Sequence, residues 1–257
     1  MINYFMNIQS LACSEPLKQA LAEYTDGFVK TLGDDLIGLY IYGSLARGCY
    51  HPATSDVDII AVIKESAINP DSQVILQIHR NAGVPMDTVF ADERQINTDI
   101  CPTPLRFLVG TGADYIGFFD VPDRIYDVPE GRSDFLPQRQ DVYEAGITLH
   151  GPAPQDIIRP VPWPVLAQSL DFLFPYIVTN FKNSVLMLCR IAYAWTHRKL
   201  SGKQQAGEWA AEAFGDQWNP VIKKALAEYA EGVKTGIPPQ TLRDFETHCA
   251  NYISSLR

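Results

Sequence analysis

Apolar positions recur along this chain in two rhythms. Between Glu15 and Thr31 they fall at Leu17, Leu21, Tyr24 and Phe28, the spacing that lays one apolar stripe along a helix. Leu36–Tyr42 (LIGLYIY) is an apolar run rich in β-formers and predicts a buried strand. Gly43-Ser44 breaks that run, and a helical turn over Leu45–Gly48 is expected after it. DVDIIAVI (56–63) predicts a second strand, and PMDTVFA (85–91) a third. Between them, Asp71–Ala82 predicts a helix with Val74, Ile75 and Ile78 on one side. From Asp92 to about Asp134 neither rhythm holds and Pro and Gly are frequent, so loops are expected there. Another helix is expected over Arg139–Thr148.

The proline-rich stretch PAPQDIIRPVPWP then predicts a linker, and beyond it the rhythm is helical throughout. Val185, Leu188, Cys189 and Ala192 line one face of a helix from Asn183 to Arg198. Ser201 and Gln204 have the spacing of a capping box for the next helix. Asn219-Pro220 predicts an N-cap with proline in the first turn, and Gly232 a stop. Leu242, Phe245, Cys249, Tyr252 and Ile253 predict a final helix. The fold class is therefore α+β: a sheet domain over residues 1–157, then a helical bundle domain over 158–257.

Composition narrows the partners. Hydrophobic residues make up 46% and charged residues 20% of the chain, which suits a packed globular protein rather than a disordered one. The formal net charge of -9 argues against a nucleic-acid binder and favours a neutral or cationic partner. The cysteines (Cys13, Cys49, Cys101, Cys189 and Cys249) are odd in number and form no C-x-x-C pair, so neither a disulfide framework nor a zinc knuckle is expected. The N-terminal MINYFMNIQSLACSEP lacks a basic region and a long apolar core, and no apolar run reaches membrane-spanning length. A cytoplasmic location without membrane attachment is expected.

The candidate chemistry lies in YGSLARGCYHPATSDVD (42–58). Gly43 lets backbone come close to a ligand, and N–H groups at a helix start favour anions. Ser44 adds a hydroxyl and Arg47 a guanidinium fork, so Gly43, Ser44 and Arg47 form a candidate triphosphate cradle. Asp56 and Asp58, two apart in a strand, share a face. Two such carboxylates suit Mg²⁺, which takes carboxylate and phosphate oxygens together. Asp87 on the third strand could bring a third carboxylate to the same place, enough for two ions. Asp56, Asp58 and Asp87 are thus the candidate metal ligands and catalytic groups.

Residues 42–58 resemble the polymerase-β-like nucleotidyltransferase superfamily, and within it the aminoglycoside adenylyltransferases that modify streptomycin and spectinomycin. YEAGITLHGP (143–152), NSVLMLCRIAYAWTHRKLSGKQQAGEWA (183–210) and ALAEYAEG (225–232) extend the resemblance through both halves. It implies transfer of AMP from ATP to a small-molecule hydroxyl, with release of pyrophosphate. It also implies that Arg190, Lys203 and Tyr229 help hold ATP, with Tyr229 packing on base or ribose. The chain departs from the family at the presumed base, usually glutamate and here Asp87. The tryptophan that stacks on the drug after the third strand has no clear counterpart, and the stretch ahead of Arg190 carries Asp171, Tyr176 and Asn180.

Other acceptors, antibiotic or metabolite, remain open at this level. Arg190 and His197 form R-x6-H, which resembles a helical ribonuclease toxin family that often accompanies minimal nucleotidyltransferase antitoxins. A nucleotide-binding module without catalysis is the third alternative, disfavoured by the complete carboxylate pair.

Overall fold

A computed structural model describes residues 8–67, 71–110, 124–126, 130–181, 183–233 and 236–257. The expected amphipathic helix is α1 (Glu15–Leu32), with Leu17, Leu21, Tyr24 and Phe28 all buried. It leads into β1 (Leu36–Tyr42), the four-residue helix α2 (Gly43–Ala46), β2 (Val57–Ile63), α3 (Ser72–Asn81) and β3 (Met86–Asp92). Asp71 caps α3, its carboxylate accepting from Gln73 N–H at 2.8 Å.

The stretch expected to be loops contains two further strands, β4 (Phe107–Gly110) and β5 (Arg124–Tyr126). They are four and three residues long, too short for an alternating pattern to stand out. Residues 111–123 and 127–129 of that stretch lie outside the described residues, as do residues 1–7 at the N-terminus. The helix expected over Arg139–Thr148 runs instead from Phe135 to Ala145 (α4), and Gly146 turns the chain into β6 (Ile147–His150). The proline-rich segment holds one short helix, α5 (Pro154–Ile157).

The six strands form one sheet in the order β5-β4-β3-β2-β1-β6. β2 and β3 run parallel, and the other neighbours are antiparallel. Alternation divides the side chains between two layers. Leu39, Ile41, Ile59, Ala61 and Phe90 pack with α1 and α3 on one face. Tyr40, Tyr42, Ile60, Val62 and Val89 pack with Phe135 and Val142 of α4 on the other.

The second half is all helix: α6 (Trp163–Leu173), α7 (Ile177–Asn180), α8 (Ser184–His197), α9 (Lys203–Ala213), α10 (Asn219–Glu231) and α11 (Pro239–Ser254). Leu186, Leu188, Cys189, Ile191 and Ala192 of α8 sit at the centre of its core. Two caps differ from expectation. Gly202, not Ser201, precedes α9, and no side-chain cap forms; Ser201 Oγ is buried without a hydrogen-bond partner among the described residues. Asn219 is the first residue of α10 rather than its cap, and its side-chain amide donates to Ala211 O at 2.9 Å. Gly232 ends α10 in the left-handed conformation, as expected.

Candidate active site

A single cleft between the sheet and the bundle is lined by Gly43, Ser44, Arg47, Asp56, Asp58 and Asp87 from the first half. Arg190, Lys203 and Tyr229 line it from the second. All nine residues singled out in the sequence therefore meet in one place, though not all in the manner expected.

The carboxylates owe their meeting to strand register. Asp58 and Asp87 are direct partners across the parallel β2–β3 pair, so both project to the α4 face. Two glycines make room for them. A methyl on Gly43 (φ +69°) would overlap Asp58 Oδ2, and one on Gly110, opposite Asp87 on β4, would overlap Asp87 Oδ1. Asp56 lies one residue before β2, so strand alternation does not set its direction; it is 5% exposed. Among the described residues no three His, Cys, Asp or Glu side chains are gathered closely enough to hold a metal by themselves. The expected convergence of three carboxylates is thus a facing pair, Asp58 and Asp87, with Asp56 nearby on the same cleft wall.

The expected phosphate cradle is altered more. Ser44 fits: its Oγ is buried at the cleft with no hydrogen-bond partner among the described residues. A buried hydroxyl costs free energy unless something bonds to it. Arg47 and the Gly43 N–H, in contrast, are already engaged. Arg47 donates through Nε to Asp141 Oδ1 and through Nη2 to Glu144 Oε2, the latter at 2.9 Å. The Gly43 N–H donates to Asp141 Oδ2 at 2.8 Å. Burial alone would lower the pKa of Arg47, but Asp141 and Glu144 outweigh it and hold the guanidinium above its ordinary value. Asp141 is itself only 2% exposed. Pulling Arg47 away to meet a phosphate would strand a buried carboxylate, which is strongly unfavourable.

The helical half supplies cations. Arg190 donates through Nε to Ser201 O at 2.9 Å and points Nη1 towards Met187 Sδ at 3.6 Å. It has no carboxylate partner among the described residues. The Nζ of Lys203 lies 5.5 Å above the ring of Tyr229, within cation–π range. Tyr229 departs from expectation: at 1% exposed it has little surface for base or ribose. It grips the loop between the two halves of the 42–58 motif instead. Its hydroxyl donates to Cys49 O at 2.9 Å and lies 3.3 Å from Ser55 Oγ. Thr54 Oγ1 donates to the Tyr229 carbonyl at 2.5 Å, and His51 meets the ring edge-on at 5.0 Å.

Asp141, Glu144 and Gly110 went unmarked in the sequence. The spacing of Asp141 and Glu144 places them one turn apart on α4, but nothing local names a partner 94 residues upstream. The R-x6-H pair separates: Arg190 faces the cleft, while His197 packs at a tilt against Tyr193 at 4.3 Å and meets Trp209 edge-on at 5.5 Å.

Comparison with known proteins bears on the same two halves. Residues 25–102 match the nucleotidyltransferase domain, and residues 157–253 match the aminoglycoside adenylyltransferase C-terminal domain. The chain belongs to the aminoglycoside adenylyltransferase family. The enzyme is 21% identical to spectinomycin 9-adenylyltransferase of Campylobacter jejuni over 77% of its own length and 80% of that protein's. It is 33% identical to the aminoglycoside (3'') (9) adenylyltransferase of Klebsiella pneumoniae over 34% of its length and 35% of that protein's. It shares its fold with the spectinomycin adenyltransferase AAD(9) of Enterococcus faecialis, solved with ATP and spectinomycin. There the TM-score is 0.74 at 17% identity, over 92% of this chain and 98% of that one. Among the described residues of the enzyme, no helix is long and apolar enough to cross a membrane.

Proposed function

We propose that the enzyme moves AMP from ATP, with Mg²⁺, to a hydroxyl of an aminocyclitol antibiotic of the spectinomycin type, releasing pyrophosphate in the cytoplasm. The observation that carries this reading is the single cleft. Carboxylates on β2 and β3 and the unpartnered Ser44 hydroxyl face Arg190 and Lys203 across it. We take the halves to be residues 1–157 and 158–257.

Ser44 Oγ donates to the triphosphate, which satisfies its buried hydroxyl. Arg190 and Lys203 neutralise phosphate charge from the bundle side. Asp56 and Asp58 would hold the metal with Asp87 beside them, phosphate and water oxygens completing the shell, as suits Mg²⁺. When bound, the metal neutralises the triphosphate and lowers the cost of charge developing at the leaving group. Asp87 takes the proton as the acceptor oxygen bonds to the α-phosphorus. The bond from that phosphorus to its bridging oxygen breaks, and pyrophosphate departs. An acidic chain with a carboxylate-lined cleft suits a cationic acceptor.

The test is incubation of purified enzyme with ATP, Mg²⁺ and spectinomycin or streptomycin, followed by mass spectrometry. An adenylyl adduct dependent on Mg²⁺ is expected. Absence of any adduct with either drug, while ATP is bound, would overturn the acceptor class.

A further inference from the structure

Asp141 has no place in the sequence motif, yet it touches the motif at two points. Its Oδ2 accepts from the Gly43 N–H at 2.8 Å, and its Oδ1 accepts from Arg47 Nε. Glu144, one turn along α4, takes the other arm of the same guanidinium. Gly43 is also packed against Asp58, so closely that a methyl group would overlap Oδ2. Gly43 is therefore held between two carboxylates: Asp141 fixes its backbone, and Asp58 fills the space where a Cβ would stand. A shift of Gly43 by a few tenths of an ångström passes directly to Asp58 and to the adjoining Ser44 hydroxyl, since close-packed interiors transmit strain.

We infer that Asp141 is a positioning residue: through Gly43 it sets the Asp58 carboxylate for metal binding, and Arg47 serves to hold Asp141 aimed. The inference rests on the reading of Asp58 as a metal ligand. It gives Arg47 and the Gly43 N–H an internal duty and leaves phosphate contact to Ser44, Arg190 and Lys203. Asp141 lines the same cleft but its two oxygens already accept from the Gly43 N–H and from Arg47, so it acts on the metal site through Gly43 rather than as a ligand. Preorganisation of this kind is what small displacements destroy.

The test is direct metal binding. Mg²⁺ is titrated calorimetrically into full-length protein saturated with a non-hydrolysable ATP analogue, for wild type, Asp141→Asn and Asp141→Ala. Asp141→Asn keeps the shape and an acceptor for Gly43 but removes the charge that aims Arg47. It should weaken Mg²⁺ about five-fold and lower kcat about ten-fold. Affinity for the analogue without metal should stay within about two-fold. Asp141→Ala should do more of both. Raising Mg²⁺ should recover turnover in Asp141→Asn, a rescue that a purely structural loss would not give.

Asp141→Asn that melts like wild type and keeps wild-type Mg²⁺ affinity overturns the inference. So does a ten-fold loss of metal-free nucleotide affinity, which would make Asp141 a ligand contact. If Asp141→Ala does not fold, Asp141→Asn alone decides. Failure of the underlying reading has a different signature: wild-type protein would show no Mg²⁺ uptake with nucleotide, or Asp58→Asn would leave that uptake unchanged.

Discussion

At the scale of residues, the active site depends on atoms that are missing as much as on those present. Asp58 and Asp87 fit on one face because Gly43 and Gly110 carry no Cβ. The space that Gly110 leaves without a Cβ is taken by the Asp87 carboxylate, which settles close to the strand. As proton acceptor, it should be dispensable for nucleotide binding and needed for transfer. Asp87→Asn is expected to bind ATP nearly as wild type and to lose transfer by about 10²-fold or more. Steady-state kinetics with calorimetric ATP titration checks this. Asp87→Glu should stay active. If Asp87→Asn loses ATP affinity while turnover at saturation holds, the residue contacts nucleotide instead.

At the scale of elements, what was legible in the sequence was what a local rhythm can encode. Leu17 to Phe28, the runs of β1 to β3 and the face of α8 all announced themselves, because a buried stripe needs a period. β4 and β6 did not, being four residues each and given meaning only by the strand beside them. The caps of α9 and α10 were misread because Ser201 is drawn into the bundle, its carbonyl held by Arg190, and Asn219 reaches back to Ala211. The site was legible as a roster of residues, but the bonds of Arg47 and Tyr229 were not, since their partners lie far off in sequence.

One element carries a pH signature. His248 on α11 packs against Phe214 at 4.7 Å and Trp218 at 5.4 Å, and its Nε2 is buried without a hydrogen-bond partner among the described residues. Burial lowers its pKa below the ordinary 6.5. The folded state then binds fewer protons than the unfolded one. Stability from this site is complete above the unfolded-state pKa and is lost as pH falls towards the folded-state value. Melts between about pH 7 and pH 5.5, the window set by an unfolded histidine, should show Tm falling. His248→Gln should flatten that fall, leaving the slope from His150, also lowered by burial. An equally steep fall in the variant would show that His248 stays hydrated in the folded protein.

At the scale of the whole molecule, the two halves meet where Tyr229 holds the loop from Cys49 to Ser55. If Arg190 holds phosphate from the bundle side, ATP must bridge the halves and raise Tm in proportion to its occupancy. Arg190→Gln keeps the helix and removes the charge. It should melt like wild type without nucleotide and bind ATP about ten-fold or more weakly, the scale of a lost charged hydrogen bond. Equal ATP-induced shifts of Tm in the two proteins would remove Arg190 from the site.

The grip of Tyr229 on the loop from Cys49 to Ser55 also bears on the order in which the molecule is made. A ribosome delivers the chain from its N-terminus, and the two bonding partners are 180 residues apart. The strands that carry Asp58 and Asp87 can pair early, but the loop just ahead of Asp56 has only its own turn bonds, such as Ser55 N–H to His51 O, and the packing of Tyr50 until the bundle's contacts are added with α10. Gly232, at the end of that helix, sits beside the same loop, where an added methyl group would touch Ala53. A chain halted before α10 should therefore expose residues 49–55 to a protease that the finished protein resists. Protection of those residues in the halted chain would disprove this. The newborn enzyme should therefore gain activity only once α10 has been made, and a product truncated before α10 should be inert.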